Sequence, residues 1–119
     1  MSDAEPINWD HLKSRQPSEA DRKALQQELV ERAVAVKRDS WDEYREAWAS
    51  GDIAGVAYLL QDTEMLEELG EQEGSVLMVF AGSLYGFNGA RKDIEAGLVG
   101  TQAWFAEARK QLDARGSGA

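Results

Sequence analysis

The chain has no cysteine, one histidine and two prolines among its 119 residues. Without cysteine there can be no disulfide, no thiolate nucleophile and no sulfur-ligated zinc. With His11 alone, di-iron sites built on Glu-x-x-His pairs and histidine-activated nucleophiles are excluded. His11 itself reads as a surface residue. No apolar run approaches the ~20 residues that span a bilayer; the longest is VLMVFAG, residues 76–82. The opening MSDAEPINWD is acidic and lacks the basic-then-apolar order of a secretory signal. A cytoplasmic protein without membrane contact is the expectation. No repeat or proline-rich linker divides the chain, so a single domain is expected.

Positive charge is also missing, locally. Between Arg45 and Arg91 there is no lysine or arginine, while residues 46–90 hold eight acids. That stretch sums to −8, against −2 for residues 1–45 and +1 for 91–119, giving the net −9. Nucleic-acid backbones require clustered cations, so direct nucleic-acid binding is disfavoured. A partner with a basic surface is favoured, because opposite fields accelerate encounter.

What is present is helical patterning. Residues 1–17 form an expected amino-terminal arm, with Ile7, Trp9 and Leu12 as its apolar spacing. Ser18 and Asp21 make a near capping box at the start of a domain expected over 18–115, with 116–119 as a frayed end. Leu25, Leu29, Ala33, Val36, Ser40, Tyr44 and Ala47 follow at helical spacing, and Val30, Val34, Trp41 and Trp48 lie beside them. This predicts either one long kinked helix over 18–50, about 50 Å in length, or two helices meeting near Asp39. Gly51 closes that segment. Asp52 is expected to cap the next, and Thr63 to cap EMLEEL, which Gly70 ends. VLMVFAGSLYGFN reads as a central helix buried on every side, with Leu77, Phe80, Ala81, Leu84 and Phe87 at helical spacing. Asn88 and Gly89 mark a turn or kink. Ala90, Ile94, Leu98, Thr101, Phe105, Ala108 and Leu112 make a last stripe. The fold class is all-α, a compact bundle of about five helices.

The most unusual segment is DTEMLEELGEQE, residues 62–73, with six carboxylates in twelve residues. On a helix, Glu64, Glu67, Glu68 and Glu71 share one face, and Met65, Leu66 and Leu69 take the other. A plain solvated face, a surface for a basic partner and a cation cradle are the three readings, in that order. The second makes the chain a small binding protein, an inhibitor or regulator of the immunity-protein, antitoxin or nucleic-acid-mimic kind. Its partner would be a protein with a basic surface, such as a nucleic-acid-handling enzyme. Asp62, Glu64, Glu67, Glu68, Glu71 and Glu73 would carry that contact. Trp48 or Met65 would supply its dry anchor.

The cation reading rests on two pairs, Glu43 with Glu46 and Glu64 with Glu67. Two such E-x-x-E pairs on successive helices resemble those with which the all-α nucleotide pyrophosphohydrolases hold Mg²⁺ over a triphosphate. The resemblance covers these four residues; Glu67 stands where the family has aspartate, and no lysine or arginine lies between Arg45 and Arg91 to receive phosphates. It implies Mg²⁺-dependent nucleotide hydrolysis as the alternative. The main reading expects no cofactor and no catalytic residue. Gly82 and Gly86, four apart, would lay a flat strip along one helix and so offer a self-association seam. A homodimer, or a structural subunit of a larger assembly, is the further alternative.

Overall fold

Ser18 opens the first helix as expected. Its side chain accepts from the Asp21 N–H, and its own N–H donates to the Asp21 carboxylate, a complete capping box. The computed structural model describes residues 17–117. The expected arm, with Ile7, Trp9, His11 and Leu12, lies outside them save for Pro17. Five α-helices follow among the described residues: α1, Glu19–Asp39; α2, Ser50–Leu60; α3, Thr63–Leu69; α4, Glu73–Glu95; and α5, Val99–Ser117. There is no strand among them, and the fold is a small all-α bundle.

The apolar stripe of α1 works as far as Val36, burying Leu29, Val30, Ala33 and Val36. Then the pattern stops being helix. Ser40 sits at φ 89°, ψ 164°, and only a 3₁₀ turn, Trp41–Glu43, and further turns precede α2. Neither the long helix over 18–50 nor a second helix from Ser40 forms. Trp41, Tyr44 and Trp48 instead pack as half-buried rings at the edge of the core. Two expected caps also move. Asp62, not Thr63, caps α3 by accepting from the Met65 N–H at 3.1 Å. Asp52 falls in the first turn of α2 and pairs with Arg32 at 3.0 Å. Gly70 ends α3 at φ 70° as the sequence indicates.

The segment expected to be buried all round is amphipathic. In α4, Leu77, Phe80, Ala81 and Leu84 are buried, but Met78, Val79 and Phe87 are 50%, 63% and 72% exposed. The bend expected at Asn88–Gly89 lies at Gly86, whose φ 77°, ψ −178° is open essentially to glycine alone. That break rotates Phe87 away from the core row to which its spacing assigned it. The last stripe is likewise split. Gly97 and Leu98, at φ 87° and 61°, turn the chain between α4 and α5, so Thr101, Phe105, Ala108 and Leu112 form the buried row of a separate helix.

α5 is the element that closes the bundle. Phe105 meets Tyr58, Phe80 and Trp104 with ring centroids 4.6, 5.1 and 4.9 Å apart. Burying a side chain of this size contributes about 2–3 kcal/mol. Gln26, the one buried amide of α1, donates to the Trp104 carbonyl and accepts from Gln111. Arg109 donates to the Tyr58 and Leu59 carbonyls at the end of α2, both at 3.2 Å. It thus gives the Leu59 carbonyl a donor near the helix C-terminus and shares the Tyr58 carbonyl with the Gln61 N–H. Gly55 lets Phe80 approach α2: a Cβ there would overlap the Phe80 ring and lie 3.3 Å from Leu29. Nothing in the immediate neighbours of Gly55 in sequence marks this contact 25 residues away.

Candidate functional site

The turns after α1 decide where the acidic residues go. Arg38 and the Tyr44 hydroxyl both hold the Asp39 carboxylate, which they bring down to about 2. The bond to Asp39, and burial after it, raise the Tyr44 hydroxyl in return. This knot pins the reversal of the chain at Ser40. Trp41 is then placed to donate from Nε1 to Asp62 Oδ2 at 2.8 Å. Asp62 therefore joins two elements, holding the indole with one oxygen and capping α3 with the other.

That bridge brings the 42–46 segment against the 62–68 segment. Between them is an open cleft of about 310 Å³, lined by Ser40, Trp41, Asp42, Arg45, Asp62, Glu64, Met65 and Glu68. Four of those side chains are carboxylates and one is a cation. Arg45 binds Glu68 at 2.9 Å, with both side chains about half exposed, a pair worth at most about 1 kcal/mol. The repulsion along the ridge is thus partly relieved from a turn that its own sequence does not contain.

The ridge itself is shorter than a helical reading of 62–73 predicts. α3 has seven residues, so Glu64, Glu67 and Glu68 share a helix, whereas Glu71 follows the Gly70 cap and Glu73 begins α4. All five are exposed; Asp62 is half-buried. Met65, expected as a dry anchor, is 6% exposed and belongs to the core. Trp48 is half-buried, stacked on Tyr44 at 4.5 Å with the Arg32 guanidinium 5.3 Å from its centroid. It is occupied with its own fold. Trp41, Asp42 and Arg45 were not among the expected site residues and are central to the cleft. The only sequence signal for them was the SWDEYRE run beside a helix end.

The two-helix arrangement implied by the E-x-x-E pairs is not formed. Glu43 closes the 3₁₀ turn and Glu46 lies in the turns beyond it. Only Glu64 of the four lines the cleft. Among the described residues, no three acidic or histidine side chains are grouped so as to hold a metal ion. Gly82 and Gly86 do not make one strip either, since Gly86 is the bend, while Gly82 stays in regular helix with open space beside it. Among the described residues, no helix is long and apolar enough to cross a membrane.

No family model, curated protein or solved structure matches the chain.

Proposed function

We propose that this is a binding protein whose acidic end docks on a basic surface of a partner protein, as an inhibitor or regulator. The observation that carries the reading is the convergence of two acidic segments, about 20 residues apart in sequence, around one open cleft floored by Trp41. Charges gathered on a single end steer a cationic partner far more effectively than the same charges dispersed. The indole supplies apolar contact area without having to be ordered, because Asp62 already fixes it. A basic side chain entering the cleft would meet Asp42, Glu64 and Glu68, with Arg45 displaced toward solvent. Such a contact is charge-assisted and salt-sensitive.

The test is capture from a lysate of the source cells, with wild type beside a variant carrying Asp42→Asn, Glu64→Gln and Glu68→Gln. Asp62 is left intact because it caps α3. A partner held by wild type at low salt should bind the variant at least about tenfold more weakly, and should be released from wild type by ~0.5 M salt. If the variant and the high-salt wash both retain that partner, the acidic end is not the contact.

A further inference from the structure

From the bend in α4 we infer that Asn88 is a site of self-modification, where the Gly89 main-chain nitrogen closes on the Asn88 side-chain amide and converts it to a carboxylate. Glycine after asparagine leaves the attacking nitrogen least hindered, because it has no Cβ. The chain's other asparagine, Asn8, is followed by Trp9. A regular helix would protect Asn88 in spite of its neighbour. Each helical N–H bonds the carbonyl four residues back, closing a ring that contains the residues between them. Gly86, at φ 77°, ψ −178°, lies inside the rings that Phe87, Asn88 and Gly89 would close. Those amides therefore lose the regular bonds, as at the start of any helix. The Leu84 carbonyl, which the Asn88 N–H would use in an unbroken helix, instead accepts from Arg22 Nη1 at 3.4 Å.

Solvent reaches both reacting groups. Asn88 is exposed, and Gly89 lines an open cleft of about 500 Å³ with Tyr85, Lys92 and Asp93. Closing the ring requires ψ of Asn88 to leave its helical value. That rotation interrupts only the first rungs of the restarted helix, the kind that fray most easily. Gly86 and Gly89 flank it as swivels. Solvent base first takes the Gly89 amide proton. The nitrogen then bonds to Asn88 Cγ, the Cγ–Nδ2 bond breaks, and ammonia leaves with a proton from water, giving a cyclic imide. Water adds to either imide carbonyl and reopens the ring. One product is aspartate, in the first turn of the restarted helix and four residues before Lys92, where negative charge is favoured. The other is isoaspartate, whose extra main-chain carbon interrupts the helix. Either brings the first charge into residues 74–90, which hold no Asp, Glu, Lys or Arg.

The test is incubation of the full chain in mildly alkaline buffer, beside the same chain unfolded in urea, with conversion followed by peptide mass spectrometry. Native Asn88 should convert within about a hundredfold of the unfolded rate, against roughly a thousandfold or more for a site that only global unfolding exposes. A gap wider than about a hundredfold overturns the inference. Asn8 should lag far behind Asn88 in both samples, and the Asn88 rate should rise with pH because the attacking amide must lose its proton. Gly89→Ala should slow conversion severalfold, and Asn88→Gln should nearly abolish it. Hydrogen exchange on the wild type checks the cause without any substitution. The Phe87, Asn88 and Gly89 amides should exchange far faster than those of Ala81 and Leu84. Equal protection of the two groups overturns the inference, because the ladder would then be unbroken. The cleft variant Asp42→Asn, Glu64→Gln, Glu68→Gln should convert Asn88 like wild type, so failure of either idea leaves the other standing.

Discussion

Gly82 and Gly86 show how differently two identical residues behave four positions apart. At Gly86 the backbone occupies a region that a Cβ forbids, so Gly86→Ala should destabilise the fold by about 1–3 kcal/mol. At Gly82 the helix is regular and the space beside it empty, so Gly82→Ala should stabilise by up to about 1 kcal/mol. Denaturant melts at low protein concentration measure both; equal signs would contradict the backbone described here. Gly55 is a third case, since its Cβ would collide with a Phe80 ring already wedged against Trp104 and Phe105. Spacing in the sequence ranks these glycines alike. Their backbone angles and neighbours separate them.

At the scale of the element, the turn between α4 and α5 is governed by one carboxylate. Leu98 stands in the usual capping position and has no side-chain oxygen to offer. Asp93 reaches across instead, accepting from the Gly100 N–H at 2.8 Å, the Thr101 N–H at 3.0 Å and the Thr101 hydroxyl at 2.6 Å. Burial alone would raise the Asp93 carboxyl, but these three donors together outweigh it and hold the group below its ordinary value of 3.8. A carboxyl lowered by folding stabilises the fold above its unfolded pKa and loses that contribution as pH falls through the folded one. Acid melts should therefore show wild type losing stability below about pH 4. Asp93→Asn should lack that component and sit about 1 kcal/mol lower at neutral pH, as for a lost cap. If the two acid profiles run parallel, Asp93 does not cap α5.

The same turn explains what was and was not legible. The helical class, the Ser18 box, the Gly70 stop and the buried rows of α1 and α5 rest on local periodicity and short-range hydrogen bonds, which a sequence displays. The break at Ser40 and the Gly97–Leu98 reversal are held by partners 5 to 8 residues apart in sequence, and the bend at Gly86 shows only in its backbone angles. Each interrupts a stripe that remains continuous on paper. The cleft was the least legible feature, because the Trp41–Asp62 bond that assembles it joins two segments whose own patterns are complete without it.

For the whole molecule, the placement of charge sets the response to salt. Glu64, Glu67 and Glu68 crowd one short helix with Arg45 as a half-exposed counterion, and like charges at such spacings each cost about 0.2–0.5 kcal/mol. Raising salt from about 50 to about 500 mM should therefore raise the melting temperature while it weakens capture of a basic partner. A melting temperature that falls would mean that ion pairs, such as Arg32–Asp52, outweigh the repulsion.

The long bridges between α1 and α5 carry a consequence for synthesis. Trp104 donates to the Arg22 carbonyl 82 positions back, and Gln26 reaches the Trp104 carbonyl across 78. At a translation rate of about 5–20 residues per second, α1 leaves the ribosome roughly 4–16 s before its packing partner exists. During that interval the side of α1 that α5 covers, around Arg22 and Gln26, stays open, and so α1 is the stretch that a chaperone on the nascent chain would meet first.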